Sequence, residues 1–104
     1  GETDYRLAAA AAGLPEPALD QEIRDAAGRL LGVSEIVYPD YKTVVEIEGD
    51  HHRTSRAQWL RDLRKYADYA REGYEVVRLT ARQGAGAEGA TLVREALTRR
   101  GWQG

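Results

Sequence analysis

The sequence predicts an α/β fold in which a four-stranded mixed sheet is flanked by helices, in the order α-βββ-α-β-α. Three short segments rich in aliphatic and β-branched residues follow one another with short connections, and a long amphipathic segment then leads to a fourth such segment. The chain has 104 residues, of which 42% are hydrophobic and 31% charged, and it has no cysteine. This composition predicts one globular domain and excludes disulfides and thiolate metal sites.

The N-terminal half predicts a helix followed by an antiparallel meander. Glu2–Ala12 is rich in alanine and leucine, and the break at residues 13–15 ends it. Leu19–Asp25 alternates between apolar and polar residues, as a half-exposed strand does. Leu30–Tyr38 and Lys42–Glu48 are the second and third strands, separated by Pro39-Asp40. Because the connections are short, neighbouring strands are expected to run antiparallel.

The C-terminal half predicts two helices around a fourth strand. Thr54 or Ser55 caps a helix that runs to about residue 72 and packs its apolar positions on the sheet. These positions are Leu60, Leu63, Tyr66, Ala67 and Ala70. Tyr74–Thr80 is a strand parallel to one of the others, since a helical crossover precedes it. Gln83–Gly89 is predicted to be a loop, and Ala90–Arg100 a closing helix.

Acidic side chains cluster at the end of the third predicted strand. Glu46 and Glu48 are two residues apart, so they share a face with Val44. If the pairing sets Glu35 of the preceding strand beside Glu46, three carboxylates converge. Two carboxylates ~5 Å apart repel by roughly 3 kcal/mol at an effective dielectric near 20, which a hard cation such as Mg²⁺ or Mn²⁺ relieves. The alternative is that these acids face water on an exposed sheet.

Two histidines follow directly, in the run Gly49-Asp50-His51-His52. Adjacent side chains point apart and the chain holds no second histidine cluster, which argues against zinc. An imidazole near the carboxylates is suited to act as a general base. The alternative is that both are loop histidines without chemistry.

A basic run begins beside the acidic cluster. Five cations fall within thirteen residues and are opposed only by Asp62; they are Arg53, Arg56, Arg61, Arg64 and Lys65. The charge is also split along the chain, with nine acids and three bases in residues 14–50 but eleven bases and six acids in residues 51–104. A basic helix beside an acidic site is typical of proteins that contact the phosphate backbone of nucleic acid. The alternative is that the charged residues form the solvent-exposed face of a helix.

Together these segments resemble a known family. The resemblance covers nearly the whole chain and is carried by the runs Ser34–Pro39, Val44–Arg53, Trp59–Asp62 and Gly73–Arg78. They are similar to the very-short-patch-repair-like branch of the PD-(D/E)XK nucleases. Within that branch they resemble small actinobacterial domains that often follow a helix-turn-helix in proteins akin to abortive-infection antitoxins. The resemblance implies a restriction-endonuclease-like core that acts on DNA.

The resemblance also implies a metal site. Glu2 would support it from the first helix, and Glu35 would stand where the family usually has an aspartate ligand. Glu46 would open the Glu-x-Lys motif, and the carbonyl of Ile47 would be a further ligand for Mg²⁺ or Mn²⁺.

Two further roles follow from the resemblance. Glu48 takes the place of the superfamily's lysine, as an acid does in this branch, and His52 falls on the branch's histidine, a candidate general base. The glutamate at position 35 is longer than the usual aspartate, and no lysine stands at position 48 to stabilise charge on the phosphate.

Two hypotheses remain open at this point. The first is a divalent-metal-dependent nuclease that hydrolyses DNA phosphodiester bonds. The second is a catalytically inactive module of the same fold that binds DNA or a protein in a regulator or antitoxin-type protein. Both expect a fragment of a longer cytoplasmic protein, with a helix-turn-helix before it and a homodimer as options. Membrane insertion is not expected, because no apolar run approaches the ~20 residues a span needs.

Overall fold

The computed structural model describes residues 1–49 and 55–104. Its helices and strands are α1 (Glu2–Ala11), β1 (Ala18–Arg24), β2 (Leu30–Tyr38), β3 (Thr43–Glu48), α2 (Arg56–Arg71), β4 (Glu75–Thr80), α3 (Ala81–Gly84) and α4 (Ala87–Arg99). A single 3-10 turn, Pro39–Tyr41, joins β2 to β3. The predicted α/β class and the order of the first six elements are confirmed. No helix in the described ranges has the length and apolar character needed to cross a membrane.

The four strands form one mixed sheet in the order β1-β2-β3-β4. β1 pairs antiparallel with β2, and β2 antiparallel with β3. β3 and β4 are parallel, with Glu46 opposite Arg78, because α2 returns the chain to the starting end of the sheet. The predicted meander and the parallel fourth strand are therefore confirmed.

Two apolar clusters hold helices on both sides of the sheet. The larger joins α1 and α4 to the strands, and its members are Tyr5, Ala9, Leu14, Ile36, Tyr38, Val45, Leu79, Ala90, Val93 and Leu97. The smaller joins α2 to the other side of the sheet through Ile23, Val37, Val44 and Tyr69. Val44 and Val45 are neighbours that serve opposite clusters, as expected for a strand buried on both faces.

The regular alternation of β2 breaks near Glu35. Ser34 contacts Tyr69 of α2 at 2.9 Å between hydroxyl oxygens, and Val37 packs in the same α2-side cluster. Residues three apart do not share a face in a regular strand, so one residue between them departs from the pattern. On β1, Asp20 has φ of 52°, a left-handed conformation. Glu35 therefore lies at an irregular point of the sheet, and simple alternation does not fix the direction of its side chain.

The prediction of which face of α2 packs on the sheet is wrong. Leu60 and Leu63 are 47% and 46% exposed, and Ala67 and Ala70 are exposed as well. The helix instead rests on the sheet through Tyr69, which is completely buried. On this side of the sheet Tyr69 packs with Ile23, Val37 and Val44 in one apolar cluster.

The loop predicted over Gln83–Gly89 is also wrong in part, because residues 81–84 form α3 and α4 begins at Ala87. Thr80 and Gln83 form a capping box at the N-terminus of α3. The Thr80 hydroxyl accepts from the Gln83 backbone N–H at 3.1 Å, and the Gln83 side chain accepts from the Thr80 N–H at 3.0 Å. This capping box outweighs the helix-breaking tendency of the glycines.

Candidate metal and nucleic-acid site

A hollow of about 200 Å³ opens where β2 and β3 stop pairing. The described ladder between these strands ends at Ile36 and Val45, so Glu35 and Glu46 are the next residues beyond it. The hollow is lined by Gly1, Glu2, Glu35, Ile36, Val45, Glu46, Ile47, Gly49 and Ala81. The four residues that sequence analysis assigned to a metal site, Glu2, Glu35, Glu46 and Ile47, are all among those that line this hollow.

Glu46 is held by two neighbours on the α2 side of the sheet. Its Oε1 accepts a hydrogen bond from Ser34 Oγ at 3.1 Å and lies 3.5 Å from Lys65 Nζ. Both charged side chains are largely buried, 20% exposed for Glu46 and 24% for Lys65. Lys65 also donates to the Val33 carbonyl at 3.2 Å and lies 5.6 Å from the centre of the Tyr69 ring. Its charge is therefore directed to Glu46 rather than to solvent.

Glu48 shares the α2 side with Glu46, as the sequence predicted. The two line a depression of about 460 Å³ with Asp62, Lys65 and Tyr66. The carboxylate of Glu48 is paired with the Arg78 guanidinium, and this hydrogen bond raises the pKa of Arg78 above its ordinary range.

Arg78 also packs on Tyr66, which lines this depression, with the guanidinium carbon 5.0 Å from the centre of the Tyr66 ring. Burial, with the charge of Glu46 as a second cause, raises the pKa of Tyr66 to about 12. The phenol is therefore neutral at physiological pH and can act only as a hydrogen-bonding group.

The oxygen donors around the hollow suit a hard cation by chemical type. Glu2 is in the first turn of α1, where Arg6 donates to it at 3.4 Å, and the side chain of Glu35 is exposed. Within residues 1–49 and 55–104, however, no three acidic or histidine side chains lie close enough together to hold one ion. Two of the predicted site residues, His52 and Arg53, lie outside the described residues.

The predicted basic residues of α2 do not act as one set. Arg56, Arg61 and Arg64 are exposed, whereas Lys65 turns toward the sheet. Arg61 and Arg64 line a depression of about 450 Å³ between α2 and the β1–β2 hairpin, together with Arg29. Sequence analysis missed Arg29, because only the tertiary structure brings the hairpin turn beside the helix.

Comparison with known proteins identifies no relative: no protein-family model, no curated protein and no solved structure matches the chain. The function must therefore be argued from the site.

Proposed function

We propose that this domain is a divalent-metal-dependent nuclease-like module that hydrolyses DNA phosphodiester bonds at the hollow between β2 and β3. The observation that carries the proposal is the meeting of Glu2, Glu35, Glu46 and Ile47 around one small hollow. These residues come from α1, β2 and β3, which are far apart in sequence.

The architecture adds support. The resemblance implies an α-βββ-α-β order with a mixed sheet, and the sheet has that order, with β3 and β4 parallel and helices on both faces. Sheets of many other proteins combine these features, so the fold supports the proposal without carrying it.

Within the proposed site, Glu35 and Glu46 and the Ile47 carbonyl would hold Mg²⁺ or Mn²⁺, with Glu2 in support. A bound divalent cation supplies neutralisation of charge on the attacked phosphate and a lowered pKa for a bound water. Binding it requires Glu46 to exchange part of its contact with Lys65, whose ammonium lines the depression on the α2 side of the sheet.

Glu48 or His52 would take the proton of the attacking water. The Glu48 carboxylate accepts a hydrogen bond from the Arg78 guanidinium, which orients it on the α2 side of the sheet. Arg61 and Arg64, with Arg29 of the hairpin, would contact the DNA backbone. Guanidinium groups suit this role because each forms paired hydrogen bonds to phosphate oxygens.

A second candidate function is supported by one specific observation, the ion pair of Glu46 with Lys65. Lys65 already neutralises the charge of this carboxylate, as expected of a site that needs no metal ion for charge balance. The domain would then be a non-catalytic module that binds DNA through its basic surface, and its DNA binding would depend on salt but not on divalent metal.

Nicking of supercoiled plasmid in Mg²⁺ or Mn²⁺ separates the two. The nuclease proposal predicts metal-dependent nicking that Glu46→Gln abolishes, because the amide keeps the size of the side chain but lacks the charge. Glu95→Gln is the matched control, since Glu95 is an exposed glutamate on α4, outside the hollow. Absence of nicking by the unaltered protein, with DNA binding retained in EDTA, would favour the non-catalytic module.

A further inference from the structure

A chain of two hydrogen bonds runs from α2 through β2 to Glu46. The Tyr69 hydroxyl oxygen lies 2.9 Å from Ser34 Oγ, and Ser34 Oγ lies 3.1 Å from Glu46 Oε1. Tyr69 is fully buried and Ser34 is 1% exposed. A buried hydroxyl between two polar groups is held in place, because moving it would break hydrogen bonds that water does not replace there. Ser34 therefore offers Glu46 a fixed partner.

The chemistry of the three groups determines which of them donates in each contact. A carboxylate only accepts hydrogen bonds, so Ser34 donates to Glu46. Ser34 has one hydroxyl proton, so Tyr69 must be the donor in its contact with Ser34. Burial raises the pKa of Tyr69 above its ordinary value of 10.0, so the phenol carries the proton for this donation at neutral pH. The proton of Ser34 is thus committed to Glu46.

Gly32 leaves the space in which α2 approaches this part of β2. A Cβ at Gly32 would lie 2.6 Å from the Tyr69 hydroxyl oxygen and 3.0 Å from Lys65 Cε. Because glycine has no Cβ, the ends of both side chains lie against the strand. Ser34 and Lys65 then meet the same atom, Glu46 Oε1, at 3.1 Å and 3.5 Å.

We propose that Ser34 is a positioning residue for the metal ligand Glu46, an inference that rests on the proposed function. Its hydrogen bond to Oε1 fixes the orientation of the carboxylate, so that a cation meets a ligand already held in place. Without this bond the side chain of Glu46 would lose rotational freedom only when the cation binds, and affinity would fall. Hydrogen-bonding partners of metal ligands typically contribute roughly 10–100-fold to metal affinity.

Ser34 and Lys65 contact the same oxygen and are expected to affect metal binding in opposite directions. Lys65 brings a positive charge that competes with the cation, whereas the neutral hydroxyl of Ser34 orients the carboxylate without repelling the cation. Lys65→Met is therefore expected to raise Mn²⁺ affinity and Ser34→Ala to lower it. General loosening of the sheet would lower the affinity in both variants, so opposite signs separate positioning from loss of structure.

Calorimetric titration of Ser34→Ala with Mn²⁺ tests the proposal, and binding about tenfold weaker than that of the unaltered protein is expected. Thr43→Val is the matched control. Thr43 is a fully buried residue of β3 whose hydroxyl donates to the Tyr41 carbonyl at 3.0 Å, outside the hollow. This variant also loses a buried hydroxyl, but its Mn²⁺ affinity should not change. Urea denaturation in EDTA verifies that both variants are folded.

Should Ser34→Ala not fold, Ser34→Cys takes its place with the same expectation, because a thiol keeps the side chain and is only a weak donor. Unchanged Mn²⁺ affinity in the Ser34 variant, or an equal loss in Thr43→Val, would overturn the role of Ser34. The metal site would still stand in that case if Glu46→Gln abolishes binding. No Mn²⁺ uptake by the unaltered protein would instead overturn the proposed metal site, and the role of Ser34 with it.

Discussion

Lys65 Nζ lies 3.5 Å from Glu46 Oε1, and this ion pair joins the middle of α2 to the carboxyl end of β3. Ser34 completes the arrangement, since its hydroxyl contacts both the Glu46 carboxylate and the Tyr69 hydroxyl. The most central acid of the candidate site is thus tied to the helix on the other side of the sheet. Any cation at the hollow competes with Lys65 for Glu46.

Lys65→Met tests this competition. Removing the ammonium while keeping an apolar stem relieves both the pairing and the repulsion between two cations, so Mn²⁺ affinity is expected to rise several-fold. Calorimetric titration of the variant and the unaltered protein measures the change. Weaker Mn²⁺ binding in Lys65→Met would contradict the idea that the two cations compete.

Arg64→Gln tests the basic depression beside α2. Loss of one phosphate contact is expected to weaken duplex DNA binding similarly for all sequences and to lower the slope of log affinity against log salt by about 1. Fluorescence anisotropy over a salt series measures both quantities. Arg99→Gln, on α4 and paired with Glu75, serves as control. An unchanged salt slope in Arg64→Gln would place the DNA contact on another surface.

Tyr38→Phe tests how α1 is anchored to the sheet. The Tyr5 and Tyr38 hydroxyl oxygens are 2.8 Å apart, and both residues are buried. Leaving the Tyr5 hydroxyl without a partner is expected to lower the free energy of unfolding by about 1–3 kcal/mol, measured by urea denaturation. The double variant with Tyr5→Phe should lose less than the sum of the two single losses. Strict additivity would show that the hydroxyl pair contributes no coupling.

Stability is expected to fall in alkaline solution. Burial raises the pKa of Tyr5 and of Tyr38 above the ordinary value of 10.0, and raises that of Tyr66 to about 12. Above pH 10 the unfolded chain therefore loses phenolic protons that the folded protein retains, so the free energy of unfolding declines as the pH rises. Urea midpoints measured at rising pH should decrease, and the decrease should be smaller in Tyr5→Phe. A flat profile would contradict this.

Most of the fold was predictable because its elements carry strong local signals. Apolar runs separated by turn residues identified the strands, and the short connections required the antiparallel meander. The apolar face of α2 misled the prediction, because helical periodicity indicates which residues are apolar and not which surface is available to them. Tyr69 decided the contact, since the ring fits beside Gly32, where a Cβ would lie only 2.6 Å from its hydroxyl oxygen.

The candidate site was predictable only as a list of residues. The motif singled out Glu35, Glu46 and Glu48, and the structure places the first two at the same hollow and the third beside Arg78. The pairing of Glu46 with Lys65 had no signal in the sequence, where the lysine was one of five cations in a run. Partners separated by 19 positions meet only through the crossing of α2 over β3.

Titration of the protein with Mn²⁺ in a calorimeter tests the central claim most directly. The account predicts saturable binding at one site, lost in Glu46→Gln and in Glu35→Gln but retained in Glu95→Gln. Mn²⁺ uptake that is absent from the unaltered protein, or equally strong in Glu46→Gln, would contradict a cation site at the hollow between β2 and β3.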